Sequence, residues 1–226
     1  IELPINNFEE ILKYIRVGEV EQAKKKYNEL HTRIIGNLRL NKEDVIVLYN
    51  QLFTMLLLML KEMDMNIMQF LEGNINPYTR LFQYDSVNTI NKNIWEVLNK
   101  IAIEVRSKRD LQHQGLIHDA REFMKKNFMD SGLSVRKIAQ HVGVSTSYFS
   151  ALFKEKESRT IQEYLINLRI NKAKELLKTT DYKSYEIARE VGYSDPHYFA
   201  SAFKKQIGIT TTEYRKIHIR SENSIN

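Results

Sequence analysis

The sequence predicts an all-α protein of two domains. Three observations carry that prediction. Its first half shows apolar residues at three- and four-residue spacing throughout and no segment that reads as a strand. Its second half holds one segment twice: IAQHVGVSTSYFSALFKE from Ile138 recurs as IAREVGYSDPHYFASAFKK from Ile187. The chain is 226 residues long, enough for two domains of about 110.

Residues 1–110 read as a helical domain. Phe8, Ile11, Leu12 and Ile15 mark one amphipathic helix ending near Gly18, and Val20, Ala23, Tyr27, Leu30 and Ile34 mark a second ending near Gly36. Asn41 and Asp44 have the spacing of a capping box, although Glu or Gln is the usual residue at the third helical position. They open a strongly apolar third helix running to about Met63. Its run Leu52 to Leu60 is about half of the ~20 residues a membrane span needs, so it reads as a buried core helix. NPYTRLF suggests a short helix after Pro77. A last long helix ends near Lys108, with Val87, Ile90, Ile94, Leu98, Ile101 and Val105 in register. Met55, Met59, Met63, Met65, Met68, Tyr49 and Trp95 read as core rather than as a ligand pocket, and Asp64, Asp85 and Asp110 stand as isolated acids with no phospho-acceptor setting.

The duplicated segment gives each copy two short helices joined by a turn. In the first copy Ser134 caps SVRKIAQHV, Gly143 supplies the turn, and Ser145 or Thr146 caps a second helix with Phe149, Leu152 and Phe153 facing inward. The second copy repeats this with SYEIAREV, Gly192 and a helix opening at Ser194-Asp195-Pro196, where Pro fits the first helical position. Such a pair is a helix-turn-helix, here at about 134–156 and 184–206. The Ile-Ala pairs (138, 187) are 49 positions apart and the Tyr-Phe pairs (148, 198) 50, so the second copy has one residue inserted in its turn. Between the copies a helix from about Thr160 to Lys178 carries an apolar stripe of Ile161, Tyr164, Leu165, Leu168, Ala173, Leu176 and Leu177. Its ~19 residues span roughly 28 Å, which sets the two second helices on the order of one DNA turn (~34 Å) apart.

Residues 116–217 resemble the DNA-binding domain of the AraC/XylS family of bacterial transcription regulators. The resemblance rests on the two repeats, on LRINKAKELL in the connecting helix, and on Gly192, Tyr193, Asp195, Tyr198, Phe199, Phe203, Lys204, Lys205, Gly208, Thr210, Glu213, Tyr214 and Arg215 of the closing pattern. The chain departs at Thr211, where the family usually has Pro, and at Ser158, where the first copy usually has Gly. Residues 1–110 show no jelly-roll strands. They are similar instead to the helical segment of response-regulator-type and related members from low-GC bacteria, with room for a receiver or sensor domain ahead of Ile1. The chain opens on Ile1 rather than Met, which marks a fragment or processed form. No signal peptide is visible, and a cytoplasmic location is expected.

The resemblance implies a sequence-specific regulator of transcription, an activator as in most of the family, with double-stranded DNA and RNA polymerase as partners, no membrane and no cofactor. Residues 116–220 are then the DNA-binding domain and residues 1–110 a regulatory or dimerising domain through which a homodimer forms. On the first recognition helix Thr146, Ser147, Ser150, Ala151 and Lys154 lie opposite the core stripe; on the second, Asp195, Pro196, His197, Ser201 and Lys204 do. These positions meet DNA in the family. The first set has no Arg, Asn or Gln for bidentate base contacts, so His197 is the best single base reader, and DNA shape adds to specificity. Lys154, Arg159, Lys204 and Lys205 suit phosphates.

Charge is distributed accordingly. Residues 1–115 carry 15 Lys/Arg against 15 Asp/Glu, whereas residues 116–226 carry 19 against 13 and so hold the whole net +6. A positive excess on the half with the repeats suits a phosphate surface. Without Cys the chain has no disulfide, thiolate nucleophile or Cys-based zinc site, and so not the alkyl-accepting repair function of some family relatives. The six His residues show no i, i+4 pairing, so no metal site is expected, and His113 and His118 read as solvated linker residues. No nucleophile–base constellation or phosphate-cradling Gly loop suggests an enzyme. The alternatives are an architectural or low-specificity DNA-binding protein and an interaction module that has lost DNA binding; the uneven charge opposes the latter.

Overall fold

The computed structural model describes residues 5–36, 40–71 and 86–222, and among these every regular element is helical. The chain divides into two compact units, Ile1–Gln112 and His113–Asn226.

The first unit contains α1 (Ile5–Arg16), α2 (Val20–Gly36), α3 (Lys42–Glu62), a 3-10 turn (Ile67–Phe70) and the first part of α4 (Val87–Asn127). The residues expected to face inward do so: Phe8, Ile11, Ile15, Ala23, Tyr27 and Leu30 of α1 and α2 meet Ile90, Ile94, Leu98 and Ile101 of α4 in one core. At α3 both halves of the capping box form, with the Asp44 amide donating to Asn41 Oδ1 (2.8 Å) and the Asn41 amide to Asp44 Oδ2 (3.0 Å). Asp is short for this role, yet it reaches. Within the core the Tyr27 and Tyr49 hydroxyls both donate to Asn91, at its carbonyl and its side-chain oxygen (2.9 and 3.0 Å), and Trp95 packs 5.4 Å from the Tyr27 ring. Both tyrosines are thus satisfied inside the core. Of the methionines, Met59 and Met65 are buried, while Met68 is 44% exposed. By length and composition α3 is apolar enough to cross a membrane, but half of that window is buried inside this unit. The short helix expected after Pro77, and Asp85, lie outside the described residues.

The second unit contains the end of α4, then α5 (Val135–His141), α6 (Thr146–Glu157), α7 (Ile161–Thr179), α8 (Ser184–Glu190), α9 (Pro196–Ile207) and α10 (Thr211–Glu222). The sequence stops α4 near Lys108, but the helix continues to Asn127. The segment has no Pro, and its one interior Gly, Gly115, costs only about 1 kcal/mol relative to Ala. His113 is therefore helical rather than part of a linker, and its Nε2 lies 2.8 Å from the Tyr148 hydroxyl of α6.

Two cores divide this unit, and α7 serves both. Ile161, Tyr164 and Leu165 of its first half join Ile117, Ala120 and Met124 of α4 and Phe149, Leu152 and Phe153 of α6. Ile170, Ala173 and Leu177 of its second half join Ile187, Phe199, Phe203 and Tyr214. The aromatic packing repeats as the sequence does. Phe149, Phe153 and Tyr164 pack edge to face in series, with centroids 5.8 and 5.7 Å apart; Phe199, Phe203 and Tyr214 pack in the same steeply tilted way at 5.9 and 5.6 Å.

Candidate nucleic-acid interface

Each helix-turn-helix is built by the same local chemistry. Ser134 caps α5, accepting from the Lys137 amide (3.3 Å). Gly143 then turns the chain at φ +74°, and the Val144 amide returns to the Ala139 carbonyl (3.1 Å). In the second copy Gly192 turns at φ +90° and the Tyr193 amide returns to Ala188 (2.8 Å). A left-handed residue closing a helix in this way favours Gly, which has no Cβ to clash. The next cap is Ser145 for α6, accepting from the Tyr148 amide (3.3 Å), and Asp195 for α9, accepting from the His197 amide (2.8 Å). Val144 and Tyr193 keep the 49-residue offset, whereas Ser145 and Asp195 are 50 apart, so the inserted residue is Ser194.

The two helices so placed present matching faces. On α6, Thr146, Ser147, Ala151 and Lys154 are exposed and Ser150 is half-buried. On α9, Asp195, His197, Ser201, Lys204 and Lys205 are exposed and Pro196 is half-buried. Arg159 is engaged within the protein: its Nη2 lies 3.5 Å from Glu157 Oε2 and its guanidinium 4.5 Å from the Tyr164 ring centroid. A phosphate would have to compete with both partners.

Sequence reasoning passed over two further residues on these faces. Tyr148 and Tyr198 occupy equivalent positions and are 45% and 52% exposed. The signal was available: Phe149 and Phe199 fill the inward position, and adjacent helical residues are about 100° apart. A second oversight was Arg169, which sits on the buried stripe of α7 between Leu165 and Ala173 at four-residue spacing and is only 9% exposed. Its Nε donates to the Phe128 carbonyl (2.8 Å), its Nη2 to the Asp130 carbonyl (2.9 Å), and its guanidinium lies 5.3 Å from the Tyr193 ring centroid. Burial pulls its pKa down from the ordinary Arg value and pushes that of Tyr193 up to about 12. One side chain thus ties the loop ahead of the first helix-turn-helix to the turn of the second. At Gln206, Nε2 donates to Asn167 Oδ1 (2.8 Å), holding the end of α9 to α7.

The turns after the recognition helices absorb the chain's two departures from the family pattern. Ser158 adopts the left-handed conformation (φ +56°) that Gly208 adopts at the equivalent place (φ +88°). Thr211 is buried, and its hydroxyl lies 2.8 Å from that of Ser184, joining α10 to α8. Thr160 and Thr210 then cap α7 and α10 alike, each amide donating to a carboxylate three residues on (2.7 Å to Glu163, 2.8 Å to Glu213). Among the described residues no group of three or more His, Asp or Glu side chains is placed to hold a metal ion.

Two helix-turn-helix modules, each presenting one exposed helix and joined by a single 19-residue helix, define the structural class. Residues 138–217 match a protein-family model described as "Helix-turn-helix domain", and this part of the chain is similar to AraC-type DNA-binding domains. The arabinose operon regulatory protein of Salmonella typhimurium is 33% identical over 99 residues, 44% of this chain and 35% of that protein. The lactose operon transcription activator of Staphylococcus xylosus is 28% identical over 149 residues, 65% of this chain and 50% of that protein. The chain thus spans half or less of the length of these relatives. Among solved structures, the C-terminal domain of AraT, a response regulator from Geobacillus stearothermophilus, matches 45% of this chain and 84% of its own, at 35% identity and a TM-score of 0.44.

Proposed function

We propose that this chain is a sequence-specific, double-stranded DNA-binding regulator of transcription, an activator acting on RNA polymerase, in which α6 and α9 enter successive major grooves. The observation that carries this reading is the pairing of two equivalent exposed helices on one internally braced unit. α7, about 28 Å long by its rise, is close to the ~34 Å that separates successive major-groove faces. The relatives' names, operon regulators and a transcription activator, support the same reading.

In this reading residues 116–220 bind DNA. Thr146, Ser147, Ser150, Ala151, Asp195, Pro196, His197 and Ser201 lie toward the bases, and Lys154, Arg159, Lys204 and Lys205 toward phosphates. Residues 1–110 supply a regulatory and dimerising surface without touching bases, so a homodimer offers four recognition helices to repeated half-sites. The protein works in the cytoplasm, by binding rather than catalysis. Selection of DNA from a random duplex pool by the full chain, followed by sequencing, should enrich a motif with two half-sites about one helical turn apart. If no motif emerges, sequence-specific recognition is wrong.

A second reading, low-specificity architectural binding, is favoured by one observation: the exposed positions assigned on α6 carry no Arg, Asn or Gln. It predicts a steep salt dependence with equal affinity for any duplex.

A further inference from the structure

The stripe that α3 turns away from its own core has a chemical symmetry. Val47 and Leu58 are 55% and 60% exposed, although the other apolar residues of the helix are buried or, at Met55 and Leu57, partly buried. Gln51 and Thr54 lie between them on the same face, and Asp44 and Lys61 end it. Positions 44, 47, 51, 54, 58 and 61 follow alternating spacings of three and four, the heptad pattern of a two-helix seam. Reversed end to end, the stripe sets Asp44 on Lys61, Val47 on Leu58 and Gln51 on Thr54. At its midpoint the Gln51 side-chain oxygen is buried without a hydrogen-bond partner. Beside it a groove is lined by Phe8, Val47, Gln51, Thr54 and Met55, among others, which gives an incoming apolar side chain a place to seat.

We propose that this stripe is a homodimer seam, on which α3 of a second copy of this chain packs antiparallel. Three observations select that occupant and that direction. Antiparallel pairing makes every layer complementary: opposite charges at both ends, apolar on apolar next, and amide against hydroxyl at the centre. Parallel pairing would instead oppose Asp44 to Asp44 and Lys61 to Lys61, and a polar layer at the centre fixes register in such seams. The helix dipoles also oppose one another favourably when antiparallel. Finally, residues 1–115 carry no net charge, so the two first units that form the seam add no net repulsion of their own. A lipid surface fits poorly, because the stripe carries Gln, Thr and two charges. The proposal rests on the homodimer reading above and specifies its surface.

The chain has no Cys, so cross-linking can be read against a silent background. Three variants of the full chain are made: Val47→Cys, Leu58→Cys and the double variant. Under mild oxidation the double variant should form a covalent dimer, and so should a mixture of the two single variants. Each single variant alone should not, because like positions lie roughly 16 Å apart in this register. Sedimentation of the native chain across a concentration series should show dimers. Leu58→Glu should weaken them roughly a hundredfold or more, with an unchanged far-UV circular dichroism spectrum. Cross-linking of a single variant alone, as strong as in the double variant, overturns the antiparallel seam. So does a native dimer whose double variant stays uncross-linked, while leaving dimerisation itself standing. A native chain monomeric at tens of micromolar removes both.

Discussion

Arg169 reaches from the centre of α7 to the Phe128 carbonyl, with Nε donating at 2.8 Å, and so fixes the end of α4 against the connecting helix. The same guanidinium donates to Asp130 and lies against the Tyr193 ring, which belongs to the other helix-turn-helix. Removing it takes the donor from the Phe128 carbonyl and leaves the Asp130 carbonyl with the Leu133 amide alone (3.1 Å). Arg169→Ala should destabilise residues 113–226 by about 2–4 kcal/mol in denaturant titrations. Arg169→Lys should recover little, because an ammonium lacks the planar fork that serves both carbonyls. Full recovery by Lys would show that charge alone matters here.

Gly143 and Gly192 are equivalent in the repeats but not in their surroundings. A Cβ at Gly143 would meet nothing within 4 Å, whereas at Gly192 it would lie 2.6 Å from the Phe128 carbonyl oxygen and 2.9 Å from Met129 backbone atoms. Gly143→Ala therefore carries only the left-handed backbone cost, about 1–2 kcal/mol. Gly192→Ala must in addition push apart the contact that Arg169 secures. It should be the more destabilising of the two, and equal losses would mean that this contact yields freely.

Most of the second unit was legible in the sequence because its signals are local. Caps at Ser134, Ser145 and Asp195, the glycine turns, and inward Phe at fixed offsets each depend on residues within four positions of one another. The end of α4 was misjudged because a single Gly weakens a helix without stopping it. Arg169 was missed because its partners are 39 and 41 residues away, and only its place on an apolar stripe marked it. Tyr148 was read only as part of the repeat, and its contact with His113 spans 35 residues. In the first unit helix periodicity gave the core, but which apolar residues of α3 stay exposed, Val47 and Leu58, depends on how the other helices pack against it.

Three carboxylates set an acid limit on the second unit. Backbone amides hold their pKa values below the ordinary carboxylate range: Thr160 for Glu163, Thr210 for Glu213 and Gly132 for Asp130. A depressed folded-state pKa adds stability that is present above the unfolded value, about 4 for these groups, and is lost as pH falls through the folded value. The melting temperature of residues 113–226 should therefore be flat from pH 7 to about 5 and drop below about 4. The double variant Glu163→Gln, Glu213→Gln should start lower at pH 7 and fall less steeply. An unchanged slope would remove these caps as the acid-sensitive groups.

In the proposed reading, base reading and phosphate anchoring separate on α9. The His197 amide is fixed by Asp195 in the first turn of α9, and its side chain is exposed at that end of the helix. Lys204 lies two turns later on the same exposed face and offers a charge with no base-specific geometry. His197→Ala should cost about 1–3 kcal/mol on the selected site and much less on random duplex. Lys204→Ala should weaken both to a similar degree and lower the slope of log affinity against log salt by about one unit. Titrations of both variants on both DNAs at several salt concentrations distinguish these outcomes. Equal losses for His197→Ala on the two DNAs would leave the ring as a positioning contact and shift base reading to the small side chains of α6 and to DNA shape.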